Sequence, residues 1–256
     1  MTAVMAVTGK GGTGKTTISA LIIRHLVEMG AKPVLAVDAD SNANLNMALG
    51  VPIDKTVGDL REDLSKRVQK QTLPAGMSKQ DILEMEIEQA TVETKDFDLL
   101  AMGRPEGPGC YCAINNMLRT FLDRISDRYQ YVVVDNEAGM EHLSRRTTRG
   151  VSSMFVVSDP SVRGLETAAR IRALAEEMDI GVENYWLVLS RVRGEMTAKL
   201  NEAASSTGME LGGVVPDDPE VARLDAEGTP LIELPDSSAS YIAVGKIRKK
   251  ALQGVS

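Results

Sequence analysis

The chemistry of this chain is densest near its first residues. Gly9-Lys10-Gly11-Gly12-Thr13-Gly14-Lys15-Thr16 fills every fixed position of the phosphate-loop pattern G-x-x-x-x-G-K-[ST]. Its glycines permit backbone angles that turn successive N–H groups toward an anion. Lys15 brings a point charge to the β- and γ-phosphates of a nucleotide, and the Thr16 hydroxyl can hold Mg²⁺. Carboxylates close two apolar runs further on: Asp38 and Asp40 follow Val34-Leu35-Ala36-Val37, and Asp135 follows Tyr131-Val132-Val133-Val134. Two thiols, Cys110 and Cys112, stand at the end of a stretch rich in glycine and proline, 103–109. Two thiolates make half of a four-coordinate metal site. Of the two histidines, His25 falls inside a helical pattern and reads as a packing or surface residue. His142 lies near enough to Met140 and Glu141 to be considered a transient metal donor.

The elements around these groups follow from apolar periodicity. Ala3 to Val7 is a short apolar run that reads as a buried strand. The stretch from Thr17 to Met29 carries Ile18, Leu21, Ile22 and Leu26 on one helical face. The phosphate loop therefore opens into a helix N-terminus, where free N–H groups and the helix dipole favour phosphate. Further strands are expected at Val34–Val37, Phe97–Met102, Tyr131–Asp135, Met154–Ser158, Tyr185–Leu189 and around Val214–Val215, with helices between them. That alternation predicts an α/β fold: a single domain with a mostly parallel sheet flanked by helices on both faces. Apolar strands that end in carboxylates place Asp38, Asp40 and Asp135 at the C-terminal sheet edge, where such folds bind ligands. Residues 54–97 are expected to be a variable segment with a charged helix over 54–71 and a surface helix over 77–94. The loop at 103–109 delivers the cysteines to the start of a helix with Ile114, Met117, Leu118, Phe121, Leu122 and Ile125. A helix start lowers a thiol's pKa and makes it a better ligand.

Composition limits the partners. The 256 residues are 43% hydrophobic, enough for one such domain, 1–256. A net charge of −7 argues against non-specific nucleic-acid binding, and 4% aromatic content leaves little for base stacking. No run of ~18 apolar residues predicts a membrane span, and no basic-then-apolar leader opens the sequence. These features predict a cytoplasmic protein without stable membrane association, in which Cys110 and Cys112 stay reduced.

Lys10 narrows the class. The string Lys-Gly-Gly-x-Gly-Lys-Thr-Thr resembles the deviant Walker A motif of the MinD/ParA/ArsA and nitrogenase iron-protein group of P-loop ATPases. The resemblance implies a homodimer with sandwiched ATP, in which Lys10 reaches the partner subunit's nucleotide. It implies ATP and Mg²⁺ held by Gly11, Gly12, Thr13, Gly14, Lys15, Thr16 and Thr17, with Asp38 and Asp135 near Mg²⁺ through water. Lys10, Lys15 and Asp40 become the catalytic group, Asp40 orienting the attacking water. Asp135 takes the place of the Walker B carboxylate, and Gly139 that of a γ-phosphate sensor. Pro216, Asp217 and Asp218 match a base-contacting loop. Ser190 departs from the family's usual Asn, so ATP over GTP is inferred from the family.

Gly-Pro-Gly-Cys-Tyr-Cys-Ala-Ile-Asn-Asn, with the run from Asp135 to Arg145 downstream, resembles the CooC-type branch, including its AcsF members. These ATPases assist nickel insertion into carbon monoxide dehydrogenase and acetyl-CoA synthase. The resemblance implies a metallochaperone ATPase with a nickel-enzyme client. A two-fold dimer would bring four sulfurs from Cys110 and Cys112 to one interface, suited to Zn²⁺ or Ni²⁺. Three other readings compete: inert cysteines, a MinD/ParA-like positioning ATPase, and an iron–sulfur reductase resembling the nitrogenase iron protein. The reductase places its second cysteine in switch II, where this chain has Ala138 and Met140. A positioning ATPase has no need of the cysteines. Its amphipathic C-terminal helix has a parallel in Tyr241, Val244, Ile247 and Leu252 among Lys246, Arg248, Lys249 and Lys250, a pattern that a docked closing helix explains equally.

Overall fold

The structure is a computed structural model, and it describes residues 2–40, 42, 44–70, 76, 79–103, 128–136 and 150–253. Chain order alternates strand and helix through most of its length. The strands are β1 (Ala3–Gly9), β2 (Val34–Ala39), β3 (Val92–Glu93), β4 (Asp98–Ala101), β5 (Tyr131–Asn136), β6 (Ser153–Ser158), β7 (Tyr185–Val192) and β8 (Glu210–Pro216). The helices are α1 (Lys15–Glu28), α2 (Leu45–Ala48), α3 (Val57–Gln69), α4 (Lys79–Ala90), α5 (Val162–Glu177), α6 (Ala198–Ser205), α7 (Pro219–Glu227) and α8 (Ala239–Gln253). A 3₁₀ turn, Leu231–Glu233, precedes α8.

The described strands form one sheet in the order β3-β4-β2-β5-β1-β6-β7-β8. Every pairing is parallel except the edge pair β3–β4. The mostly parallel sheet expected from the sequence is thus what forms. Strand β1 sits near the centre, with β5 on one side and β6 on the other. Both of its faces are covered, so Met5, Ala6 and Val7 are all fully buried.

The two faces divide the core by the period-two rule of a strand. Met5, Val7, Ala36, Val133, Phe155 and Val188 point to one face, under α1 and α8. The opposite face holds two clusters. Leu35, Val37, Val132 and Val134 pack with Leu60, Leu64, Ile82 and Ile87 of α3 and α4. Met154, Val156, Leu187 and Leu189 pack with Leu165, Ala168 and Ala204 of α5 and α6.

Two expectations need correction. The stretch 77–94 is not a surface helix throughout: Ile82 and Ile87 of α4 are buried at 1% exposure each. The chain then enters the sheet as β3, antiparallel to β4, an element absent from the sequence reading. The physical reason is length. A two-residue strand carries no readable alternation, and two isoleucines among acids give a weak helical stripe.

The closing helix α8 docks on the sheet. It buries Val244, Ile247 and Ala251, and Lys250 Nζ donates to the Leu211 carbonyl of β8 at 2.8 Å. Toward α1, Tyr241 stacks on His25 with ring centroids 4.1 Å apart, and Arg24 lies over the Tyr241 ring. A hydrogen bond of 2.8 Å joins His25 Nε2 to the Tyr241 carbonyl. His25 is therefore a packing residue, and burial holds its pKa below the ordinary histidine value against the raising effect of that bond.

Candidate nucleotide and Mg²⁺ site

The site grows from the C-terminal end of β1. The chain leaves the strand at Gly9, turns through the loop, and enters α1 at Lys15. Gly14 is the N-cap residue with φ +89, a left-handed conformation that glycine adopts without a Cβ penalty. The Lys10 carbonyl ties the loop together. It accepts from Thr13 Oγ1 at 2.8 Å and from Lys15 Nζ at 3.3 Å. Lys15 is buried, whereas Lys10 is exposed.

Two carboxylates converge beside α1. Asp38 of β2 and Asp135 of β5 are register partners on adjacent parallel strands. Both follow the parity of Ala36 and Val133, so they point to the face that α1 covers. Both are essentially inaccessible to solvent. Asp135 Oδ1 accepts from Ser19 Oγ at 2.9 Å. Asp38 Oδ1 accepts from the Asp40 N–H at 3.1 Å, and its Oδ2 accepts from the Leu45 N–H at 2.8 Å. Asp38 thus satisfies the first backbone N–H of α2. Asp40 Oδ1 instead accepts from Asn42 N at 2.8 Å and Asn42 Nδ2 at 3.1 Å.

Burial governs the electrostatics. It pushes the Asp38 carboxyl up to about 7, opposed by the Leu45 and Asp40 N–H groups and assisted by the charges of Asp135 and Asp40. It pushes the Asp135 carboxyl up to about 6, opposed by hydrogen bonds from the Thr16 and Ser19 hydroxyls and by the Lys15 charge. Two adjacent buried carboxylates are costly to ionise together. A hard divalent cation relieves that cost, and an all-oxygen set of carboxylates and hydroxyl suits Mg²⁺. The donor set at Thr16, Asp38 and Asp135 therefore fits Mg²⁺.

A cavity of about 880 Å³ opens beside the loop, large enough for a nucleotide. Gly11, Gly12, Gly14, Lys15, Thr16, Thr17 and Asp40 line one side. Asn46 and Met47 of α2 and Pro52 beyond it, together with Arg191, Asp225 and Thr229, line other parts of it. Thr13 is buried inside the loop and is absent from that lining.

The loop at 216–218 has its own contacts. Pro216, Asp217 and Asp218 do not line the cavity. Asp218 instead caps α7 through Glu220 N at 3.0 Å and accepts from Ser238 Oγ at 2.6 Å and Ser240 N at 2.9 Å. Asp217 pairs with Arg193 at 2.6 Å. Ser190 is buried beside the loop, its Oγ 3.2 Å from where a Cβ on Gly14 would stand. The next residue, Arg191, takes φ +58 and lines the cavity. Ser19 and Arg191 are among the site residues to which the sequence reading gave no role. A signal existed for Ser19: it is a polar residue amid the buried face of Ile18, Leu21 and Ile22. Arg191 gave none, because backbone conformation is set by the strand end it occupies. Cys110, Cys112, Gly139 and His142 lie outside the described residues.

The end of β4 is tied to β2 and α3. Met102 N donates to the Asp38 carbonyl at 2.8 Å, and the Met102 carbonyl accepts from Gly58 N at 2.9 Å. Gly103 follows with φ +63, pressed against the Thr56 side chain.

Comparison with known proteins gives four findings. Residues 4–231 match the family described as the CobQ/CobB/MinD/ParA nucleotide binding domain. An uncharacterized ATP-binding protein of Methanocaldococcus jannaschii is 45% identical over 249 residues, 97% of this chain and 98% of that relative. The carbon monoxide dehydrogenase accessory protein CooC of Rhodospirillum rubrum is 32% identical over 269 residues, 98% of this chain and 99% of that relative. Among solved structures, the septum site-determining protein MinD from Pyrococcus horikoshii in complex with Mg-ADP aligns with a TM-score of 0.70. It covers 100% of this chain and 98% of its own at 22% identity, a likeness of fold.

Proposed function

The chain belongs to the CobQ/CobB/MinD/ParA nucleotide-binding family, and from that premise we propose that it is a Mg²⁺-ATP-dependent metallochaperone for a nickel enzyme. Membership brings the ATP-binding P-loop and implies ATPase activity. The finer reading, nickel delivery to carbon monoxide dehydrogenase or acetyl-CoA synthase, is carried by Cys110-Tyr111-Cys112. Its support is likeness over nearly the full length to a carbon monoxide dehydrogenase accessory protein. Docking of α8 weighs against a positioning ATPase, since Val244, Ile247 and Ala251 are already buried, although Ile242 stays exposed.

In this reading the loop N–H groups, Lys15 and Thr16 bind the phosphates. Bound Mg²⁺ would neutralise charge on them, held by Thr16 directly and by Asp38 and Asp135 through water. Lys15, and Lys10 from a second subunit, would stabilise charge in the transition state. Asp40, at the cavity wall, would orient water. Each subunit of a homodimer would contribute Cys110 and Cys112 to one Ni²⁺ or Zn²⁺, the cargo.

The test is a Ni²⁺ and Zn²⁺ titration of the pure protein, with and without nucleotide, followed by absorption. The expected result is half a metal per chain with thiolate-to-nickel charge-transfer bands, abolished by Cys110→Ala or Cys112→Ala. One metal per chain that survives both substitutions rejects the proposal. An iron–sulfur spectrum turns it toward the reductase.

A further inference from the structure

We propose that Ser19 is a positioning residue for the Mg²⁺ site, its hydroxyl fixing the carboxylate of Asp135 from the interior of α1. The inference rests on the Mg²⁺ assignment of Asp38 and Asp135 above. Ser19 has no solvent exposure, and its Oγ donates to Asp135 Oδ1 at 2.9 Å, 116 residues away in sequence. It stands three residues after Thr16, so the two hydroxyls neighbour each other on one face of α1. Both bond to the same carboxylate. Their roles differ. Thr16 lines the cavity, where its oxygen can turn toward the cation, whereas Ser19 does not line it.

The geometry explains why a second hydroxyl is needed. Asp135 faces Asp38 across one register step of the sheet, and like charges push the two carboxylates apart. Once Thr16 turns its oxygen to a cation, Ser19 still holds Asp135 Oδ1. That leaves Oδ2 to accept from a water of the cation's shell. An alanine at 19 keeps the helix, since alanine is the best helix former, and removes only this donor. Outer residues that orient ligands typically contribute about 10–100-fold in metal affinity.

The experiment measures affinity for a fluorescent ADP analogue across a Mg²⁺ titration, with EDTA as the Mg²⁺-free reference. Thermal unfolding without Mg²⁺ is recorded for each variant. For Ser19→Ala the Mg²⁺ concentration at half-effect should rise about tenfold or more, with Mg²⁺-free affinity unchanged. Ser19→Cys, which keeps a weak donor of similar size, should fall between Ser19→Ala and wild type. A Ser19→Ala protein with the wild-type Mg²⁺ half-point overturns the proposal. So does an equal loss with and without Mg²⁺, which would mark a purely structural residue. If Ser19→Ala fails to fold, Ser19→Cys decides alone, and a wild-type half-point there overturns the proposal. A wild-type protein whose ADP affinity ignores Mg²⁺ sinks the Mg²⁺ assignment itself, an outcome distinct from the others.

Discussion

Among single residues, Asp38, Asp40 and Asp135 divide the work by burial. Asp40 lines the cavity, and among the described residues its carboxylate accepts from Asn42 alone, so it can meet water near a nucleotide. Asp40→Ala should leave ATP binding within about twofold and slow hydrolysis by about 10²-fold or more, read from single-turnover rates. Wild-type turnover in that variant would refute the role. Lys15→Ala should abolish nucleotide binding, seen as loss of any thermal shift with Mg-ADP. The buried pair predicts a pH effect whose sign follows from the raised values. Each carboxyl holds its proton more tightly folded than unfolded. Its contribution to stability is fully present below the ordinary carboxylate value of about 4. That contribution is lost as pH rises through about 6 for Asp135 and about 7 for Asp38. A divalent cation offsets the loss. The extra thermal stabilisation that Mg²⁺ adds to ADP-bound protein should therefore grow from pH 6 to pH 8. An increment that does not change with pH would contradict it.

Secondary-structure elements set where these residues stand. Helix α1 follows the loop and carries the two hydroxyls and the docking surface for α8, so one element links the phosphate loop, the Asp135 carboxylate and the closing helix. Ile247 is buried at 2% exposure against this assembly. Ile247→Ala should cost about 2–5 kcal/mol in urea unfolding. A loss below about 0.5 kcal/mol would show that α8 is not part of the cooperative core. The exit from β4 is equally constrained. Gly103 adopts φ +63, and an added Cβ would come within 2.3 Å of Thr56 Oγ1. Thr56 in turn forms the capping box of α3 with Asp59. Gly103→Ala should destabilise the fold by about 1–3 kcal/mol through strain and the displaced cap, measured in the same way.

For the whole molecule, the proposed dimer is the decisive question. Lys10 keeps its carbonyl within the loop while its side chain is exposed. That arrangement suits a lysine that acts on a second copy. ATP should raise the dimer fraction in light scattering, and Lys10→Ala should lose that response while still binding ATP. A mass that ignores both ATP and Ni²⁺ would contradict the shared site. By linkage, any change that nucleotide makes in metal affinity must return as an equal change in nucleotide affinity upon metal binding.

The sequence by itself determined the fold class, the phosphate loop and the carboxylates at the strand ends. These are local signals: a filled motif, apolar runs of strand length, and charges that end them. Residues such as Lys15 and Asp135 were legible because their spacing within one element fixes their place. Only the tertiary structure decided which of these groups meet. Asp38 and Asp135 become partners because β5 inserts between β2 and β1, a strand order that periodicity does not encode. Ser19 gains its role because α1 crosses that same face, 116 residues from its partner. Pro216, Asp217 and Asp218 match a base-contacting loop in pattern, and only the structure shows that Asp218's oxygens also hold the cap of α7 and the start of α8. A side chain's bonding capacity is finite, and what fills it is settled by contacts between segments distant in the chain.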